Sequence, residues 1–171
     1  MKIRILILLT ILIIVQSSVL SQEIFKGIEV VELDCRKQGS ITLVDHTATN
    51  QQNFIIEKRI FSEGICKDIK YKIRMAQLET DINYDLFPKG HVLLEYKGFI
   101  HKLGPNQYSY NGILTISQDI ITLNSSKKSF AVTWVRDFSG VTYNGIDANN
   151  TLKDEILSAC DDFLKDYFEA N

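Results

Sequence analysis

The clearest periodicity in the chain is that of an amphipathic helix over Thr151–Phe168. At 100° per residue, one half of the helical wheel is apolar, whereas the other half is mainly acidic and polar. Thr151, with Asp154 three residues later, resembles a capping box at a helix start. A helix of this length is marginal alone in water, so the pattern predicts that it docks on another element. The apolar half comprises Leu152, Ile156, Leu157, Ala159, Cys160, Phe163, Leu164, Tyr167 and Phe168.

The stretch His91–Asp137, which precedes this helix, has the pattern of four successive strands. The first two, His91–Leu103 and Tyr108–Ser117, flank a turn at Gly104-Pro105-Asn106. A glycine inside a strand often marks a bulge, and Asn111-Gly112 is therefore predicted to be one.

The second half of this stretch contains two more apolar segments. Ile120–Asn124 follows the second strand after only two residues, so Gln118-Asp119 is predicted as the tip of a tight hairpin. Ser129–Val135 is apolar or neutral at both parities, which is typical of a central strand covered on both faces. We expect the C-terminal helix to cover one of these faces.

The N-terminal half is predicted to be β-rich as well. Gly27–Leu33 and Ser40–Asp45 are interpreted as a hairpin, and Asn53–Phe61 as the next strand. A turn at Ser62-Glu63-Gly64 then leads into Ile65–Met75, which has the cleanest two-residue alternation in the chain.

Together, these elements predict an α+β fold. It would be mainly antiparallel β, with about eight strands in a curled sheet or a barrel-like arrangement, and with the C-terminal amphipathic helix packed on it.

The N-terminal residues 1–21 have the features of a secretory signal peptide. Lys2 and Arg4 precede the apolar run Ile5–Val15, which is too short for a membrane span of about 20 residues. No cysteine follows the run closely, so a lipid anchor is not predicted. The mature protein would then be a single domain, residues 22–171, with a secreted or periplasmic location.

Loss of this peptide would also change the charge. It removes Lys2 and Arg4 and no acidic residue, so that 17 basic residues face 21 acidic ones and the net charge falls from −2 to −4. This balance disfavours a nucleic-acid partner. Without a second hydrophobic segment no membrane span is predicted, and no motif indicates a cofactor.

Three cysteines in an exported chain suggest a disulfide. Cys160 falls within the apolar half of the predicted helix, where it would be a buried small side chain. By elimination, Cys35 and Cys66 are predicted to form the bridge. The alternative is that all three thiols are free.

Catalytic and metal motifs are not apparent in the sequence. Asp45-His46 ends a strand and is interpreted as surface loop, while His91 and His101 lie too far apart along one strand to form a single site. No two cysteines or histidines have metal-ligand spacing, so no metal site is predicted. Catalysis has no support from these residues, although an enzyme can lack a readable motif.

Two surfaces remain as candidates for binding. Lys70, Lys72 and Arg74 would form a basic stripe on one strand face, which either attracts an anionic ligand or is ordinary solvated surface. The second candidate is the loop Phe138–Asn150, which carries more apolar side chains than a disordered linker would.

In this loop, Phe138, Tyr143 and Ile146 are the candidate ligand- or partner-binding residues. Either they pack on the core or they line a ligand mouth. The sequence therefore favours an exported, soluble, non-catalytic binding protein for a small apolar molecule or a partner protein. The alternatives are a small secreted hydrolase and a structural envelope-associated protein. Asn124 and Asn149 begin glycosylation sequons, which matter only if the source cell uses them.

Overall fold

The structure, a computed structural model, describes residues 25–34, 39–47, 58–60, 63–80, 90–121 and 128–171. Within these ranges it contains six strands and two helices of more than ten residues. These are β1 (Val30–Glu32), β2 (Gly39–Asp45), β3 (Lys58–Ile60), α1 (Glu63–Met75), β4 (His91–Gly104), β5 (Gln107–Ile121), β6 (Lys128–Thr142) and α2 (Gly145–Ala170).

The described strands form one open sheet. Five of them follow the order β3-β2-β4-β5-β6. The sixth, β1, pairs with the beginning of β4, on the same edge to which β2 pairs further along. Both β1 and β2 run parallel to β4, whereas the β2–β3, β4–β5 and β5–β6 pairs are antiparallel. The α+β class, the mainly antiparallel sheet and the C-terminal helix are thus confirmed. A count of about eight strands and a barrel-like closure are wrong for the described residues.

The predicted N-terminal hairpin is also wrong. Gly39 of β2 is aligned with Tyr96, and Val30 of β1 with His91, so the two strands follow the same edge of β4 in the same direction. β1 and β2 therefore do not form an antiparallel pair. The alternation of apolar residues identified both strands, but it carries no information on the partner to which each strand pairs.

The C-terminal half of the sheet is a simple meander of three long strands rather than four. The strand predicted at His91–Leu103 is confirmed by β4, but Gln118-Asp119 is not a turn, because β5 continues through it and pairs with β6 there. The irregularity in the pairing of β5 with β6 lies between Ile116 and Ser117, where Thr133 of β6 is the extra residue, and not at Gly112. β6 is an edge of the described sheet instead of a central strand.

The segment predicted as the most regular strand, Ile65–Met75, is the helix α1. Ile65, Ile69 and Ile73 are four residues apart, a spacing that places them on one face of a helix as well as on one face of a strand. All three are buried, whereas Tyr71 and Met75, which share their strand parity, are largely exposed. The predicted turn at residues 62–64 is wrong for the same reason, since α1 already begins at Glu63.

The predicted C-terminal helix is confirmed, but it begins at Gly145 rather than at Thr151. Asn144 is its N-cap, since the Asn144 side-chain oxygen accepts a hydrogen bond of 2.9 Å from the backbone N–H of Ile146. The buried residues of α2 are Ala148, Leu152, Ile156, Ala159, Cys160, Phe163 and Leu164.

α2 approaches the sheet closely at a glycine of β4, which has no side chain to keep the helix away. Gly98 of β4 faces Leu152, and a Cβ atom on Gly98 would lie 2.9 Å from a Leu152 methyl carbon. Further along α2, Phe163 lies against Trp134 of β6, with ring centroids 5.8 Å apart. The Trp134 indole N–H donates to Asp166 over 2.9 Å, which satisfies its polar end. The helix is thus held by packing and by a side-chain hydrogen bond.

Candidate binding groove

The candidate site is a groove between the C-terminal ends of α1 and of the second helix, α2. Two ion pairs join these helices: Lys153 to Asp68 at 2.8 Å, and Lys72 to Asp161 at 2.6 Å. Lys72 follows Asp68 along α1, and its partner Asp161 follows Lys153 along α2. The two helices therefore run in the same direction. Beyond the second pair the helices leave a space of about 430 Å³.

The walls of this groove are largely apolar. Tyr71, Met75 and Phe168 are 65%, 67% and 59% exposed, although side chains of this kind are usually buried. Ala76 and Leu164, which are buried, form its floor. A contiguous exposed apolar surface of this kind marks an interaction site more often than scattered apolar residues do.

Charged side chains stand at the edge of the groove. Lys72 Nζ donates to both carboxylate oxygens of Asp161, at 2.6 and 2.8 Å, so this pair is neutralised internally. Lys165 also lines the groove, and its Nζ lies 3.8 Å from a Glu169 oxygen, with both side chains well exposed. An exposed pair at this distance is weak, so the Lys165 ammonium can turn toward another anion.

The basic stripe expected from the sequence does not form. Lys70, Lys72 and Arg74 belong to a helix, where residues two apart point in different directions. Lys72 is bound to Asp161, and the Arg74 Nε donates to the hydroxyl of Thr80 over 2.9 Å. Lys72 and Arg74 thus act in helix–helix and local contacts, and the three cations do not form one surface.

The three predicted binding residues occupy different environments. The loop that was expected to carry them is replaced by the end of β6 and the beginning of α2. Phe138 is half-buried against the core, where its ring covers Gly112. Tyr143 and Ile146, at the junction of β6 and α2, are 77% and 71% exposed. The structure therefore places two of the three at the surface and the third on the core.

The structure describes two of the three cysteines, and both are buried. Cys66 is fully buried on α1, and Cys160 is a buried free thiol on α2. Burial, followed by the neighbouring charge of Asp161, raises the pKa of the Cys160 thiol to about 12. Cys35 lies outside the described residues, so the Cys35–Cys66 bridge stays a prediction.

A histidine pair lies outside the groove, where the end of β2 meets β4. The His46 Nε2 and the His101 Nδ1 are 3.1 Å apart, and the ring centroids are 5.3 Å apart with an angle of 28° between the ring planes. Phe99 stacks on the other side of His101, at 6.3 Å. Burial, followed by the charge of His46, lowers the pKa of His101. His91 belongs elsewhere, since its Nε2 lies 2.9 Å from a carboxylate oxygen of Glu32.

Asp45, beside this pair, is held as a carboxylate. Its pKa is lowered to about 2, first by the hydrogen bond from the Thr47 hydroxyl, then by that from the Thr47 backbone N–H and by that from Lys102. Thr47 donates both bonds to one oxygen, and Lys102 Nζ lies 3.1 Å from the other. The Asp45 oxygens are thus already engaged.

Sequence reasoning missed both the groove and the histidine pair. The groove needed the helical interpretation of Ile65–Met75, which the buried isoleucines at four-residue spacing also permitted. The histidines are 55 residues apart, and only the parallel pairing of β2 with β4 brings them together. No sequence signal at that distance was available.

The described residues contain no group of three or more histidine, cysteine, aspartate or glutamate side chains placed to hold a metal ion. No helix among them combines the length and the apolar character that a membrane crossing requires.

The fold and the groove define an α+β domain in which an open sheet and two helices enclose one core. No family model matches the chain, and no curated protein matches it. A solved structure with some likeness is the crystal structure of the rare lipoprotein B from Shewanella oneidensis. It has 8% sequence identity and a TM-score of 0.33, over 73% of this chain and 90% of that chain. A TM-score this low does not establish a common fold, so it carries no conclusion about this protein.

Proposed function

We propose that the chain is an exported, non-catalytic binding protein, and that its ligand is a small amphiphile with an apolar body and one acidic group. The observation that supports this is the groove between α1 and α2. Its volume of about 430 Å³ lies within the range of roughly 300–1,000 Å³ typical of small-molecule sites.

The chemistry of the lining favours this class of ligand. Tyr71, Met75 and Phe168 expose apolar surface that a ligand would remove from water, and methionine adapts to irregular apolar shapes. Lys165 supplies a cation at the edge, where the acidic group of an amphiphile would lie. The Lys72–Asp161 pair beside it is a salt bridge, not a pair of groups converging on a reacting atom. The arrangement therefore fits binding better than catalysis.

Export is part of the proposal, and the described ends of the domain are compatible with cleavage before Gln22. Phe25, three residues beyond that point, is buried, and its ring lies 5.9 Å from that of Phe163. The Asn171 side-chain amide donates to the Phe25 carbonyl over 3.1 Å. These contacts support the proposal that residues 22–171 form a single domain.

Native mass spectrometry of protein purified from its source tests export and binding together. The expected protein mass is that of residues 22–171, with an additional non-covalent mass from an acidic amphiphile. The mass of the full chain would contradict cleavage. A bare protein that also fails to bind a fluorescent fatty acid such as dansylaminoundecanoic acid would contradict the binding proposal.

The variant Phe168→Glu tests the groove itself. It places a carboxylate on the apolar wall, where it opposes both the apolar body and the acidic group of the probe. We expect dansylaminoundecanoic acid to bind at least about tenfold more weakly, which corresponds to roughly 1.4 kcal/mol. Fluorescence titration measures this change.

Ser158→Glu is the matched control for Phe168→Glu. Ser158 is exposed on the same helix and does not line the groove, so the added charge is the same and the location differs. Its affinity for the probe should equal that of the wild type. Equal affinities of both variants would show that the probe does not bind in the groove.

A second candidate is a surface for a partner protein at the junction of β6 and α2. It is favoured by the exposure of Tyr143 and Ile146 on a corner that is fixed by the Asn144 cap. Exposed aromatic side chains on rigid supports are frequent centres of protein interfaces. This surface is distinct from the residues that line the groove.

Tyr143→Ala tests this second surface. Because the ring is mostly exposed, the free energy of unfolding should change by less than about 1 kcal/mol, while recovery of a co-purifying partner from a source extract should fall. Chemical denaturation and quantitative pull-down measure the two quantities. Tyr71→Ala, in the groove, is the matched control and should leave partner recovery unchanged. Undiminished recovery with Tyr143→Ala would remove this candidate.

A further inference from the structure

We propose that His46 and His101 form a two-nitrogen site for a divalent transition-metal ion, Cu²⁺ in particular. The site is separate from the groove, and it lies where the end of β2 meets β4. It uses side chains from two parts of the chain that the parallel strand pairing brings together.

The distance between the two nitrogens suits a shared metal ion. Nε2 of His46 and Nδ1 of His101 are 3.1 Å apart. An ion about 2.0–2.1 Å from each nitrogen would have an N–metal–N angle of roughly 100°. That angle lies between the values for square-planar and tetrahedral coordination. Because the rings face each other in line across their hydrogen bond, each must turn by roughly 40° to direct its lone pair at one ion about 2.0–2.1 Å away.

The backbone holds the two histidines at this separation. The His46 N–H donates to the Lys102 carbonyl over 3.0 Å, which fixes His46 beside β4 just beyond the end of β2. The ring of His101 is held between those of His46 and Phe99. A pre-arranged ligand pair loses less conformational freedom when it binds an ion than two mobile side chains would.

The neighbouring charges do not compete for the site. Lys102 is bound to Asp45 at 3.1 Å, so the nearest lysine on β4 is engaged by a carboxylate. Both oxygens of Asp45 accept hydrogen bonds, and the ion would therefore complete its coordination with water. His46 is exposed and His101 is half-buried, which leaves the pair accessible to solvent.

The proton balance of the proposed binding step is simple. In the metal-free pair one ring nitrogen donates its hydrogen to the other. When both rings are neutral, metal binding requires the donor ring to move that hydrogen to its second nitrogen. Both facing nitrogens then offer lone pairs, and no proton is released. Imidazole ligands suit copper, nickel and zinc, and among these Cu²⁺ binds most strongly to a given set of nitrogen ligands.

The test is a titration of the full mature chain, without a histidine tag, with CuSO₄. Isothermal titration calorimetry should show one site, and electron paramagnetic resonance should show coupling to two imidazole nitrogens. His46→Gln and His101→Gln should each weaken binding by at least about tenfold, since each leaves a single nitrogen ligand. The melting temperature of each metal-free variant would confirm that it is folded.

Several outcomes would overturn the proposal. They are a spectrum with one imidazole nitrogen, an effect of only one of the two substitutions, or unchanged affinity in the double variant. The last result would place the copper at the chain terminus or on His91. Equal losses in both single variants, with the two-nitrogen spectrum lost in each, would support it.

Discussion

At the scale of the residue, Cys160 shows how position determines chemistry. The thiol lies in the core beneath α2, and burial there raises its pKa to about 12. The reactive thiolate is then almost absent at neutral pH, and the sulfur acts as a small apolar group. The sequence predicted this burial because Cys160 lies on the apolar half of the helical wheel.

Thiol counting tests the cysteine assignment. Native, unreduced protein should not react with Ellman's reagent, because Cys160 is buried and protonated while Cys35 and Cys66 are bridged. After denaturation without reductant, one thiol per chain should react. Cys160→Ala should show none in either state. Three reactive thiols in the denatured wild type would eliminate the disulfide.

Gly112 is a second residue whose position determines its role, and here the prediction from the sequence was wrong. Gly112 was expected to form a bulge, yet the strand is regular at this position and pairs with Gly98 on one side and Phe138 on the other. Its missing side chain provides the room in which the Phe138 ring lies. A glycine in a strand fits either role, and only the neighbouring strand shows which one applies.

At the scale of the element, α1 explains why a clear pattern gave the wrong structure. Ile65, Ile69 and Ile73 match a period of two and a period close to 3.6 equally well. The deciding residues are Cys66 and Ala76, which are buried although they have the opposite strand parity. Their burial depends on the tertiary packing around α1, which the sequence does not display.

The second helix was predicted correctly because its apolar face extends over several turns, and its docking can be measured. Phe163→Ala should lower the free energy of unfolding by about 3–5 kcal/mol, the cost of truncating a fully buried phenylalanine. Chemical denaturation gives the value.

Asp162→Ala is the comparison for Phe163→Ala. Asp162 forms a largely exposed ion pair with Arg136 at 3.3 Å, and its loss should cost less than about 1 kcal/mol. Similar small losses in the two variants would mean that α2 is not docked as described.

At the scale of the whole molecule, some elements and contacts between residues close in sequence were predicted correctly, whereas pairings between distant segments were not. β4 and β6 were located from their own patterns, and the β4–β5 connection was recognised from the turn after Gly104. The pairing of β2 with β4 joins Ile41 to Gly98, 57 residues later, and no local pattern encodes it. The same long-range pairing creates the histidine site, which is why the sequence could not reveal it.

The parallel pairing of β1 and β2 with β4 also determines the order in which the molecule can be assembled. Synthesis proceeds from the N-terminus, so both strands leave the ribosome before their partner exists. The antiparallel pairs β4–β5 and β5–β6 close shorter loops and form more readily. We therefore expect the parallel pairs of β1 and β2 with β4 to form after the antiparallel pairs, although β1 and β2 are synthesised first. Until β4 pairs with β2, that edge of β2 is unpaired, and we expect aggregation to compete with folding mainly at this stage.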